Sequence, residues 1–66
     1  MNQGNSLKPY KNYVGTVEVN FEERYYYGYV QGTQFEARYE ADTLDELQKR
    51  FEKCVDDYVN LINEGI

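Results

Sequence analysis

The sequence predicts an α+β domain of β-β-β-α order, a three-stranded antiparallel sheet with one helix packed on one face. Three observations carry that expectation. Apolar and polar residues alternate through residues 13–20 and again through 35–41, the period of half-buried strands. Four of the chain's eight tyrosines fall in YYYGY, residues 25–29, a composition that favours a strand between those two. From Leu44 onward apolar residues recur at spacings of three and four, the signature of an amphipathic helix. The segments joining the strands are too short for a parallel crossover, so all three run antiparallel.

The first strand reads YVGTVEVNF, the second RYYYGYVQ and the third QFEARYEA. Both faces of the second are aromatic, so its neighbours must fix its register. With two-residue turns at Glu22-Glu23 and Gly32-Thr33, Val19 lies opposite Tyr26 and Tyr39, Val17 opposite Gly28 and Ala37, and Gly15 opposite Val30 and Phe35. Every residue on that face is apolar or small. The reverse face collects Thr16, Glu18, Asn20, Tyr25, Tyr27, Tyr29, Glu36, Arg38 and Glu40. A one-residue slip would invert a whole strand, so a single arrangement that sorts all three is specific. Glu22-Glu23 is poor chemistry for a primed turn, which leaves a longer loop or bulge open there.

Thr43 followed by Glu46 makes a capping-box pattern, and Asp42 and Asp45 favour the positive end of the helix dipole. The helix expected from about Thr43 to Glu64 carries one stripe, Leu44, Leu47, Phe51, Val55, Tyr58 and Ile62, and Gly65 is its expected stop. That stripe covers the apolar sheet face, with the small row Val17, Gly28 and Ala37 letting the helix backbone come close. Tyr26 is thereby a core residue, while Tyr25, Tyr27 and Tyr29 stand on the open face.

Residues 1–11 are polar, hold the only proline and predict a flexible arm; residues 12–66 form a single domain. A chain of 66 residues buries only about 60% of its unfolded surface, so a partner or a second copy would help it. One cysteine, Cys54, gives no disulfide framework and points to a reducing cytoplasm. No stretch has the signal-peptide core or the roughly 18 apolar residues of a membrane span, so a soluble protein without a membrane partner is expected. Seven Lys and Arg against twelve Asp and Glu give a net charge of −5, which repels phosphate backbones and suits a basic protein.

Catalytic chemistry is not expected. The chain has no histidine, its carboxylates show no paired spacing, and Cys54 has no evident base. Phosphate-loop and metal-ligand patterns are missing, so no catalytic, cofactor-binding or metal residues are assigned. Tyr27-Gly28-Tyr29-Val30 matches the middle of the RRM signature but lacks its basic start and final aromatic, and that fold needs a fourth strand and a second helix. Specific nucleic-acid binding by this chain alone is therefore not expected. Asp56-Asp57 oppose the helix dipole, a local cost that hints at use in binding or register.

The segments YVGTVE, YYGYVQG, TLDEL and FEKCVDDY, in this order and spacing, resemble the HicB family of antitoxins, partners of small mRNA-cleaving HicA toxins. The resemblance runs from about Tyr13 to Tyr58. Tyr13, Gly15, Val17 and Glu18 look like that family's first strand and Tyr27, Gly28, Val30 and Gly32 like its second. Thr43, Glu46 and Leu47 resemble its helix start, and Phe51, Val55, Asp56, Asp57 and Tyr58 its helix body. It implies a reduced RNase H-like domain without catalysis that binds a small basic toxin and masks its RNA site. Ala41 stands where a glycine commonly precedes the helix, and the chain ends at NEGI where full-length members continue into a DNA-binding domain, so operator binding is not implied. The expected toxin-facing residues are Glu18, Tyr25, Tyr27, Tyr29, Glu36, Arg38 and Glu40. A homo-oligomer is also expected. The alternative function is a stand-alone structural or regulatory domain that self-associates and has no toxin partner.

Overall fold

A computed structural model describes residues 7–33 and 36–64. Strands β1 (Glu18–Asn20), β2 (Tyr25–Tyr29) and β3 (Arg38–Ala41) form one antiparallel sheet in the order β1-β2-β3, followed by helix α1 (Leu44–Glu64). The domain is α+β with a single helix on one face of the sheet, as the alternation and the helical stripe predict.

The first hairpin keeps the expected pairing, Glu18 with Tyr27, Val19 with Tyr26 and Asn20 with Tyr25, and a bridge between Gly15 and Val30 extends it. Its connection is four residues, Phe21 to Arg24, in place of a two-glutamate turn. Asn20 organises it: its side-chain oxygen accepts the Glu23 amide at 3.0 Å and its carbonyl accepts the Arg24 amide at 2.7 Å, while Arg24 closes the loop with φ 63°. The second hairpin corrects the expected register. Tyr26 faces Ala41, Gly28 faces Tyr39 and Tyr29 faces Arg38, a slip of two residues from the pairing of Tyr26 with Tyr39. The pairing closes correspondingly further along the chain, with the Val30 amide bonded to the Ala37 carbonyl at 2.9 Å, and Gly32 after Val30 has φ 83°. Because the slip is even, every side chain of β3 keeps its expected face. The expected partner of Gly15, Phe35, lies outside the described residues, as does the expected helix stop at Gly65.

The core forms where α1 lies on β3 and β2. Leu47, Phe51 and Val55 are 0% exposed, and Val30, Tyr39, Ala41 and Tyr58 complete the buried set. Leu44, expected in the stripe, is 50% exposed because it opens the helix at the rim of the sheet, three residues after β3 ends. Val19 is 41% exposed for a related reason, since the helix packs on β2 and β3 and leaves β1 aside. The Thr43 hydroxyl accepts the Glu46 amide at 3.1 Å, which is the N-cap half of the capping box; the Glu46 carboxylate leans toward Arg50 at 3.6 Å.

Gly28 has a different cause from the one expected. A Cβ there would run into the Thr16 carbonyl and come within 2.9 Å of the Tyr39 hydroxyl, so it is the chain just before β1 and Tyr39, and not the helix, that demand glycine. The ladder is distorted at this point. The Tyr29 amide donates to the Thr16 hydroxyl at 3.0 Å, and the Thr16 carbonyl turns inward to accept the Tyr39 hydroxyl at 2.8 Å. Gly15 is the position that admits the helix: a Cβ there would meet the Phe51 ring at 2.7 Å.

Residues 7–11, the described part of the expected arm, lie against this core. Lys11 and Asn12, at φ 51° and 70°, make a primed two-residue turn between Tyr10 and Tyr13, whose main chains exchange two hydrogen bonds of 2.9 Å. The Leu7 amide reaches the Gly15 carbonyl at 3.2 Å, and Leu7, Tyr10 and Tyr13 pack on the buried cluster.

Candidate functional site: the open face of the sheet

The face of the sheet turned away from α1 is built by the odd residues of β2. Tyr25, Tyr27 and Tyr29 form a continuous row, with ring centroids 5.9 Å apart for the first pair and 6.3 Å for the second, the latter edge to face. Side chains two apart on a strand share a face, so a YxYxY pattern creates this row wherever the opposite parity is buried. Tyr25 and Tyr27 are half-buried by their neighbours and Tyr29 is 36% exposed.

Arg38 crosses the row from β3. Its guanidinium sits 4.9 Å over the Tyr27 ring, donates to Glu40 at 2.6 Å and reaches the Tyr25 hydroxyl at 3.3 Å. Those bonds, Glu40 first and Tyr25 second, raise its pKa further, so the group is a permanent cation in the centre of the face. Glu18 of β1 lies opposite Tyr27 on the other side, exposed, and Asn20 donates to the Tyr25 hydroxyl at 3.4 Å. The rings are therefore held in place before any partner arrives, by stacking, one cation and two polar contacts.

Six of the seven sequence-predicted residues, Glu18, Tyr25, Tyr27, Tyr29, Arg38 and Glu40, come together on this face. Glu36 does not take its expected place opposite Tyr29; Arg38 occupies it, and Glu36 is exposed in the loop before β3. At one end the face opens into a hollow of about 610 Å³ that includes Glu23, Asp42, Glu46 and Arg50, extending the acidic rim to the helix start. Sequence reasoning missed Glu23 and Asp42 here because only the four-residue loop and the β3–α1 junction bring them beside Tyr25.

A second constellation was marked by the sequence only as an oddity. Asp56 accepts the Lys11 ammonium at 2.7 Å and the Tyr10 hydroxyl at 3.2 Å, so the acidic residue that opposes the helix dipole clasps the N-terminal turn to the helix. The Lys11 bond holds the Asp56 carboxyl below its ordinary pKa, and the same bond raises that of Lys11. Asp57 pairs with Lys53 at 3.5 Å. Cys54 is half-buried, and burial, with Asp57 second, pushes its thiol up, away from nucleophile behaviour. Burial likewise pushes the Tyr39 phenol up to about 12, the neighbouring Cys54 being the lesser cause.

Among the described residues, no group of three or more His, Cys, Asp or Glu side chains is placed to hold a metal ion, and no helix is long and apolar enough to cross a membrane. No family model matches the chain, and no curated protein and no solved structure matches it. Fold and surface together describe an acidic α+β domain whose sheet presents a fixed aromatic row.

Proposed function

We propose that this chain is a protein-binding module of HicB-like type, which neutralises a small, basic, mRNA-cleaving toxin by covering its RNA site. The observation that carries the reading is the tyrosine row on the uncovered sheet face, locked by Arg38 and bordered by Glu18 and Glu40. Rigid aromatics supply contact area at little entropic cost and are enriched at interface centres. Carboxylates around them complement a cationic surface and repel nucleic acid, the toxin's own substrate. The resemblance of YVGTVE, YYGYVQG, TLDEL and FEKCVDDY to HicB segments supports the toxin as the partner. The module works by masking and not by chemistry, in the reducing cytoplasm where its partner would cleave mRNA.

The test is to look for a short basic reading frame beside this chain and to co-express its product with the chain. Growth should be arrested by that protein alone, with loss of bulk mRNA, and restored when this chain is supplied. Restoration should fail with Tyr27→Ser combined with Glu18→Lys. A chain isolated in its genome from any such reading frame, or one that leaves the arrest unrelieved, would contradict the proposal.

A further inference from the structure

We propose that a second copy of this chain docks on the free edge of β3, antiparallel and two-fold symmetric about Tyr39, to make one six-stranded sheet. The hydrogen-bond alternation of β3 selects the residues. The Val30 amide donates to the Ala37 carbonyl at 2.9 Å, so the main-chain groups of Ala37, and by alternation those of Tyr39 and Ala41, turn toward β2. The amides and carbonyls of Arg38 and Glu40 turn outward, where the sheet order leaves β3 as an edge. Two outward residues spaced by two are what an antiparallel pair exchanges. Arg38 would give its amide to Glu40 of the second copy and accept that residue's amide in return, twice over by symmetry.

The side chains fix this register against its neighbours. Arg38 and Glu40 both project on the open face, paired with each other at 2.6 Å in the single chain. Centred on Tyr39, each arginine lies opposite the other copy's glutamate. A slip of two one way sets arginine opposite arginine, and the other way glutamate opposite glutamate, both repulsive. Charged residues on an edge ordinarily deter indiscriminate pairing, whereas here one pairing converts them to attraction. Beneath the edge, on the helix side, runs a groove of about 370 Å³ flanked by Arg50, Lys53 and Asp57, a mixed-charge wall that a copy related by the same axis meets in reverse order. The β1 edge lacks this complementarity: its outward residues are Gly15, whose carbonyl already accepts the Leu7 amide, and the uncharged Val17 and Val19. The docked pair would join two tyrosine rows on one face.

Charge reversal in sedimentation equilibrium tests this without any toxin, so its outcome is separate from that of the neutralisation assay. The wild-type chain should approach twice its 7.9 kDa mass at about 100 μM, as specific pairing at an edge requires. Arg38→Glu and Glu40→Arg should each weaken self-association at least about tenfold, since each sets like charges opposite one another. Mixed in equal amounts, the two variants should recover a dimer containing one of each, because every cross-edge pair is then opposite in sign. A wild-type chain that stays at its single mass, singles that dimerise like wild type, or a mixture that stays monomeric although both variants show the native circular dichroism would each overturn the proposal.

Discussion

Along β2 and the residue that follows it, neighbours one apart live under different rules. Tyr26, Gly28 and Val30 face the helix, where Gly28 has no room for a single added carbon and Val30 is 5% exposed. Tyr25, Tyr27 and Tyr29 face outward, where the same residue type is stacked on neighbours and left partly in water. The inner face is determined by volume: Tyr39 fills the space over Gly28, and its hydroxyl satisfies the inturned Thr16 carbonyl. The outer face is determined by charge and ring geometry. One tyrosine-rich segment thus serves two purposes because strand parity separates them.

If the inner face is set by volume, truncation there should dominate all other effects. Phe51→Ala removes a ring that is 0% exposed and packs 5.5 Å from that of Tyr39; a loss of about 4 kcal/mol, measured by urea unfolding, is expected. That approaches the whole stability of a domain this small, so the variant should be largely unfolded. Gly28→Ala forces the backbones of β1 and β2 apart and should cost about 3 kcal/mol, near the upper end for overpacking. Lys49→Ala, at an exposed helix position, would be the harmless comparison.

Tyr39→Phe sharpens the distinction between volume and polarity on the inner face. It keeps the packing and removes the donor to Thr16, so a loss of about 2 kcal/mol is expected from the carbonyl left without that partner. Its pH signature has a definite sign. The phenol's pKa is raised in the fold, so its stabilisation is complete below its ordinary value of 10.0 and is lost as pH rises through about 12. Alkaline unfolding of the wild type should steepen in that window, and Tyr39→Phe should flatten it.

The Asp56 clasp should produce the smallest effect and belongs to neither face. Its carboxyl is lowered by Lys11, so its contribution is present above the ordinary value of 3.8 and disappears as pH falls through the lower folded value. Hydrogen exchange should therefore show the Leu7 amide losing protection in acid before the core does, and Asp56→Asn should reproduce that loss at neutral pH. Equal protection of Leu7 in wild type and variant would remove the clasp from the account.

Strand parity was legible in the sequence because alternation fixes faces even when the pairing is shifted. The second hairpin was not, since GTQFE carries no residue that dictates the length of its loop, and the chain could move by two without exposing Tyr39 or burying Arg38. Likewise, the row Tyr25, Tyr27 and Tyr29 follows from parity alone, and Arg38 reaches Tyr27 in either register, directly opposite it in the expected one and diagonal to it in the observed one. Gly28 was recognisable as a close approach, but the approaching group was not, because the inward turn of the Thr16 carbonyl is a property of the assembled sheet. The bond from Lys11 to Asp56 spans 45 positions, and only the finished fold brings the two together.

The central claim is that the open face binds and the inner face only supports. If the proposed basic partner exists, the claim is tested most directly by titrating that protein with wild-type chain and with the Tyr27→Ser, Glu18→Lys variant. Tyr27→Ser should cost no more than about 1 kcal/mol of folding stability, the scale of a cross-strand pair. Binding by the folded variant should fall by at least about 30-fold, corresponding to roughly 2 kcal/mol at an interface centre. Undiminished binding by a variant with native circular dichroism would contradict the account and move the partner to another surface.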